Sequence, residues 1–371
     1  MPEPAVPHCG APTNPARRSG RARAALGPVA MTVLASLTIV FTSAVPAWAH
    51  VGGGGPAPSN WRSPVTSVRP AMPGVVLRTV DNGDFVELVN RSRVPVTVLG
   101  YDDEPYLRIG PGGVDQNSRS AATYLNRTKD GRTNPPADAL DPTATPVWQH
   151  VTGEPRYRWH DHRTHWMLTQ PPPAVTAAPG RAQDIASWTL NLRYGTAPVT
   201  VTGTLSWVPG PSPWPWYALT LGLALAAGAA GWLSRWRGPA AVVVLVLVAA
   251  DVTDTIGVGL SGGSAADIPI WGAGVWALVA LARRRTYAPL LLGLVGTVVA
   301  VVSGLGDLGV LSHSQVPFTG PAWLARLCVA AALGLGVGLL AAAWRVSRRD
   351  RLPPRPATAA PGRTGLAGAA G

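Results

Sequence analysis

Residues 199–208 read VTVTGTLSWV, and residues 185–194 read IASWTLNLRY. In the first run Val199, Val201, Leu205 and Trp207 fall on one side of an extended chain, with Thr200, Thr202, Thr204 and Ser206 on the other. In the second run Trp188, Leu190, Leu192 and Tyr194 alternate in the same way. A period of two with one apolar face predicts antiparallel strands that bury one side. Shorter β-favouring runs at 75–80 (VVLRTV), 84–89 (DFVELV) and 94–99 (VPVTVL) are punctuated by Gly, Pro, Asn and Asp. Together they predict an all-β domain over 50–212, expected as an immunoglobulin-like sandwich. A long irregular stretch, 101–146, separates the early strands from the late ones.

Beyond the PGPSP segment at 209–213 the composition changes to long apolar runs. Spans are expected at about 214–234, 238–258, 268–282, 286–305 and 322–344, near the ~20 residues a bilayer requires, the third being short. This predicts an all-α five-helix transmembrane domain over 213–344. Arg235 and Arg237 follow the first span, Arg283, Arg284 and Arg285 follow the third, and Arg345, Arg348, Arg349 and Arg351 follow the fifth. The alternate loops, 259–267 and 306–321, carry no arginine. Positive charge on alternate loops places those arginines in the cytoplasm and the β-domain outside. The tail, 345–371, is rich in Pro, Ala and Gly without periodicity, so a disordered cytoplasmic segment is expected.

The amino terminus fits that orientation. Arg17, Arg18, Arg21 and Arg23 precede a mainly apolar stretch, 27–45, and Ala47-Trp48-Ala49 supplies a small-x-small cleavage pattern. Residues 1–49 therefore read as a secretory signal peptide whose removal leaves His50 first, with an uncleaved signal anchor as the alternative. The only cysteines are Cys9 and Cys328, so the mature chain has no disulfide framework. The net charge of +12 suggests nucleic acid only until its position is considered, because much of it flanks apolar segments at the two termini. The bilayer is the expected partner, and nucleic acid is not. Of 31 basic residues only Lys129 is lysine, a bias typical of high-GC genomes.

Four stretches, YDDEPYLR (101–108), ATYLN (122–126), WHDHRTHWM (159–167) and WVPGPSPW (207–214), carry a resemblance. In them the chain resembles a family of actinobacterial membrane proteins with an exported β-domain. That resemblance implies the layout and no mechanism. The layout alone is also similar to copper-resistance proteins that join an exported β-sandwich, with an amino-terminal histidine, to a membrane domain.

The WHDHRTHWM stretch concentrates three of the seven histidines, an aspartate and a thioether in nine positions. Imidazole is the commonest protein ligand for copper and zinc, and methionine sulfur suits Cu(I). The candidate metal ligands are His160, His162, His165, Met167 and His50, with copper expected before zinc. As a strand, His160 and His162 share one face; as a helix, His162 and His165 pair at i,i+3. Either way two donors meet, and a third has to come from His150, Asp102, Asp103, Glu104 or the mature terminus. The structural alternative has the histidines bonded to Asp161 and neighbouring carboxylates, the tryptophans packing the sandwich, and Arg163 in a surface ion pair.

In the membrane part, Asp251 and Asp254 stand at i,i+3 in the second span. With Asp307, His313 and Arg326 they form a candidate intramembrane polar cluster, since carboxylates at that depth face the bundle interior or water. No GxSxG, HExxH or CxxC signature supports an enzyme. Two functions remain: binding or relaying a transition metal outside the cell, or a non-enzymatic envelope interaction module that contacts another envelope protein through 101–124.

Overall fold

The alternating runs form the longest strands among the described residues. A computed structural model describes residues 57–259 and 267–349. The expected signal peptide, His50 and the end of the tail lie outside the described residues. The first eleven elements of sheet are β1 (Trp61–Arg62), β2 (Val65–Arg69), β3 (Val75–Val80), β4 (Phe85–Asn90), β5 (Val96–Leu99), β6 (Pro105–Gly110), β7 (Gly113–Asn117), β8 (Trp148–Thr152), β9 (Arg156–His160), β10 (Gln183–Tyr194) and β11 (Ala197–Trp207). All pairings are antiparallel.

They divide into two sheets. One runs β1-β11-β10-β5-β6-β7-β8, with β2 also on β11; the other runs β3-β4-β9. The apolar faces read from alternation meet a common core: Val199, Val201, Leu205, Trp188, Leu190 and Leu192 from the large sheet, and Val86, Leu88 and Trp159 from the small one. Burying a side chain of this size contributes ~1.5–3 kcal/mol, which is why the pairing register follows the alternation. Within 101–146, expected to be irregular, the chain forms β6 and β7 and a short helix, α1 (Ala122–Leu125). The sequence PYLRIG gives no clean alternation because Tyr106 and Leu107 are both buried. A second short helix, α2 (Pro173–Ala177), precedes β10.

The helical region comprises α3 (Trp214–Ala229), α4 (Arg237–Val258), α5 (Asp267–Ala282), α6 (Ala288–Val299), continued as a π-helical turn to Leu305, and α7 (Ala322–Arg349). Three of these are long and apolar enough to cross a membrane: 237–258, 288–305 and 322–349. α5 is apolar but shorter, and α3 continues through a tight turn to Trp232. α7 is the centre of the bundle, with 72% of its apolar window buried against 22% for α4. Glycines allow that packing. A Cβ on Gly338 would lie 2.5 Å from the Ala224 carbonyl of α3, and one on Gly296 of α6 would lie 2.5 Å from the Gly336 carbonyl. Backbones approach this closely only through small residues.

The sheet region meets the helical region at the segment between α6 and α7. Ser59 and Gln315 form an antiparallel bridge, the Ser314 amide donates to Asn60 Oδ1 at 2.9 Å, and Ser314 Oγ donates to the Val208 carbonyl at 2.7 Å. At the other end of α7, Arg345 stacks 4.2 Å over the Trp232 ring.

Candidate functional site

β9 ends at His160, and the histidine stretch then continues neither as strand nor as helix. Asp161, with no exposed surface, folds the chain back on itself. Its carboxylate accepts Arg163 Nε and Nη2, both at 2.8 Å, the Arg163 amide at 3.2 Å and Trp159 Nε1 at 3.2 Å. The Asp161 carbonyl takes the Thr164 amide at 3.1 Å. Aspartate favours such local turns because its side chain competes with regular backbone pairing. Arg163 was expected in a surface pair; instead its guanidinium is mostly covered, 23% exposed, and also donates to the Gly100 carbonyl at 3.1 Å. Burial works against that charge, but the Asp161 carboxylate more than compensates and holds it protonated.

The turn brings the His162 and His165 rings into edge contact, centroids 5.8 Å apart. Each histidine bonds to a backbone carbonyl. His160 Nδ1 lies 2.9 Å from Asp84 O, with its ring stacked on Phe85. His162 Nε2 lies 3.0 Å from Thr128 O. His165, buried, contacts Asp161 O through Nδ1 and Lys129 O through Nε2, both at 3.0 Å. Both ring nitrogens of His165 are therefore turned to carbonyl oxygens. Burial lowers the His160 imidazole below its ordinary value, against the Asp84 contact that raises it.

Two glycines make room for this arrangement. Gly131, at φ 64°, sits where a Cβ would come within 2.6 Å of the His162 ring; Gly83, at φ 101°, sits where one would come within 2.3 Å of Thr164 O. Both dihedrals lie in the region glycine adopts without strain. The histidines thereby fasten the 128–131 segment to the end of β9.

The other expected ligands are elsewhere. Met167 is 41% exposed. His150 pairs with Asp115 on the exposed side of β8. Asp103 accepts from Asn191. Glu104 is buried, taking Ser120 Oγ at 2.5 Å and the Asp102 amide at 3.0 Å. Among the described residues no group of three His, Cys, Asp or Glu is placed to hold a metal ion.

The 101–124 stretch, expected as a partner surface, is drawn inward. Asp102, Asp103 and Arg108 are exposed, whereas Glu104, Tyr106, Leu107 and Ile109 are buried. Tyr101 stacks on His162 at 5.9 Å, donates to Asn126 and accepts the His162 amide at 3.2 Å. Burial raises its phenol well above the ordinary value. The YDDE and WHDHRTH stretches are therefore one interlocked unit.

A second charged centre escaped the sequence reading. Glu87 on β4 is 1% exposed, yet the register places it between Arg78 and Arg158. Its carboxylate accepts Arg78 Nε at 2.7 Å and Arg156 Nε at 2.9 Å. Burial pushes its pKa up, but the bonds from Arg156 and Arg78 outweigh this and hold it below the ordinary glutamate value. The sequence signal was the alternation RYRWH in β9, with arginines outward and aromatics inward.

Asp251, 3% exposed, accepts Trp271 Nε1 at 2.8 Å from α5 and Ser303 Oγ from the π-helical turn. Arg326, 9% exposed, donates to Val310 O at 3.2 Å and His313 O at 2.8 Å, and His313 Nδ1 lies 2.7 Å from Gly309 O. Asp254 and Asp307 are engaged as well. The Arg326–His313 link thus runs through backbone and stiffens the segment that meets the sheet region. The chain matches no protein-family model, no curated protein and no solved structure.

Proposed function

We propose that this chain is a multi-pass cell-membrane protein that holds its β region on the outer membrane face as a non-enzymatic envelope interaction or assembly module. In this reading five helices cross the bilayer, the β region is an immunoglobulin-like sandwich in layering, and the tail is cytoplasmic. Exposed aromatic residues support the membrane placement. Trp214, Tyr217 and Trp323 lie at the helix ends nearest the β region, and Trp232, Tyr287 and Trp344 at the arginine-rich ends. At 1.5 Å per residue the 214–232 and 323–344 separations are about 27 and 32 Å, close to one hydrocarbon thickness. Tryptophan and tyrosine concentrate at both interfaces of spanning helices.

The observation that carries the structural role of the histidine stretch is His165, both of whose nitrogens are spent on the carbonyls of Asp161 and Lys129. A second reading, copper or zinc binding, has one observation in its favour. The carbonyl bonds fix the His160 and His162 rings and leave His160 Nε2 and His162 Nδ1 as the remaining nitrogens. Metal-ligating histidines are usually oriented in this way. Such a site would need a further donor, for which His50 is the candidate.

Metal analysis of the full-length protein in lipid nanodiscs, beside a His160→Ala/His162→Ala variant, separates the two. The structural reading expects no retained copper or zinc in either. Stoichiometric metal that disappears in the variant would establish the second reading in its place.

A further inference from the structure

Beside the histidine stretch lies a cavity of about 370 Å³, walled by the chain from Ala57 to Trp61, the Asp81–Asp84 turn, Lys129 and residues 165–169. That volume falls in the ~300–1,000 Å³ range of small-molecule sites. We propose that this cavity binds a neutral polyhydroxylated ligand, a saccharide unit seated between the Trp61–Trp166 platform and the Asp81–Asn82–Asp84 turn.

Three features select that chemistry. First, Trp61 and Trp166 lie nearly parallel, with centroids 5.7 Å apart and an interplanar angle of 19°. Met167 and Leu168 beside them are 41% and 67% exposed. Both indoles line the cavity and are half-buried, and the part of a ring left exposed there suits the C–H face of a sugar, because indole combines a flat apolar area with a polar edge. Second, the charges are already matched. Asp84 pairs with Lys129, and Asp81 faces Arg158 at 3.8 Å. A site for an organic cation would keep its carboxylates unpaired, and one for an anion would keep its lysine unpaired. Third, the polar groups mix acceptors (Asp81, Asp84) with donors (Lys129) and Asn82, whose amide does both. Hydroxyls, which donate and accept at once, complement such a mixture.

The turn presents these groups by an unusual backbone. Asp81 and Asn82 have φ of 54° and 60°, and Gly83 has 101°. Consecutive left-handed residues other than glycine are uncommon and cost ~1–3 kcal/mol each, so they persist only where surrounding structure imposes them. Thr164 supplies part of that constraint, with Oγ1 2.6 Å from Gly83 O. The proposal goes beyond the envelope-module reading and is independent of which side of the membrane the β region occupies.

The test uses full-length protein in lipid nanodiscs, which avoids sugar-headed detergents. Saturation-transfer NMR and calorimetry are run with glucose, galactose, mannose and N-acetylglucosamine as neutral probes, and with choline and phosphate as charged probes. The expected result is binding of at least one neutral probe with Kd of about 1 mM or tighter. Asp81→Asn and Asn82→Gly, both of which tolerate positive φ, should each weaken it roughly tenfold, with the melting temperature of each variant near that of the wild type. Trp166→Phe should weaken binding less than Trp166→Ala. Absence of binding by every neutral probe would overturn the proposal. So would binding of choline or phosphate alone, or neutral-probe binding unchanged in both Asp81→Asn and Asn82→Gly.

Discussion

Ser59 and Gln315 exchange two backbone hydrogen bonds, Ser59 N to Gln315 O at 2.9 Å and Gln315 N to Ser59 O at 2.8 Å, although 256 positions separate them in a chain of sheet and then helices. This two-residue bridge, with Ser314 alongside, fastens the β region to the segment between α6 and α7. Arg326 stiffens the same segment from within the bundle by donating to the carbonyls of Val310 and His313.

Removing the side-chain part of this clamp should loosen the junction and leave both regions folded. Asn60→Ala with Ser314→Ala deletes the bonds of 2.9 and 2.7 Å, each contributing about 1 kcal/mol. Amide exchange at 312–316 is expected to accelerate, while exchange in β10 and α7 stays unchanged. Unchanged exchange at 312–316 would mean that the junction is held elsewhere.

His165→Ala takes the ring contact from the Lys129 carbonyl, leaves the Asp161 carbonyl only its Thr164 donors, and opens a cavity where the ring stood. The expected cost is about 2–4 kcal/mol, read as a lower thermal midpoint of the β region in the full-length protein. Met167→Ala, at a residue 41% exposed, should stay within about 0.5 kcal/mol of wild type. Equal effects from the two would contradict the structural role assigned to His165.

Glu87 and His160 give the β region an acid-side instability with a defined sign. The folded carboxyl of Glu87 lies below its ordinary value. Its unfolded state therefore binds more protons, and the stability from this group, complete above the ordinary glutamate pKa, is lost as pH falls through the folded value. The folded imidazole of His160 also lies below its ordinary value of 6.5. Stability from this ring is thus complete above 6.5 and declines as pH drops towards the lower folded value. Thermal midpoints measured from pH 8 downward should fall first below the histidine range and again below the glutamate range. Glu87→Gln should reduce the second fall without abolishing it, since Asp115 is also held low by Arg108, and, by leaving Arg78 and Arg156 without their shared anion, should cost about 1–3 kcal/mol at neutral pH.

In the bundle, Gly338→Ala places a Cβ 2.5 Å from Ala224 O and 2.6 Å from Ala227 Cβ, both fixed parts of α3. α3 and α7 have to separate, at a cost of about 1–3 kcal/mol. Gly222→Ala, whose Cβ meets nothing within 4 Å, serves as the control and should be neutral or slightly stabilising, since alanine favours helix. Thermal unfolding in nanodiscs reads the difference, and two variants with the same midpoint would remove α7 from the centre of the packing.

Much of the architecture was legible from period alone. The runs 185–194 and 199–208 became β10 and β11 within two residues at either end, and apart from Trp207 the apolar positions read on their inward faces are core or pack against it. The apolar segments after Trp214 became helices where composition put them, and among the described residues three reach spanning length, since the regular helix from Trp214 gives way to a tight turn at Ala230–Trp232. The histidine stretch was conspicuous, yet its geometry was hidden. Neither a period of two nor one of 3.6 describes a chain that turns on Asp161 and is fixed by Arg163, a contact set by tertiary closure against Gly100. The same limit hid β6 and β7: their residues are buried by neighbours far along the chain, so the alternation that marks a half-exposed strand is absent.

The side of the membrane on which the β region lies tests the account most directly. Single cysteines are introduced by Gly112→Cys, at an exposed loop site where a side chain meets nothing within 4 Å, and by Arg285→Cys, at the exposed turn after α5. The background carries serine for Cys9 and alanine for the buried Cys328. A membrane-impermeant maleimide should label Gly112→Cys in intact cells and Arg285→Cys only after lysis. Labelling of Arg285→Cys in intact cells, with Gly112→Cys reacting only after lysis, would place the β region in the cytoplasm and contradict the account.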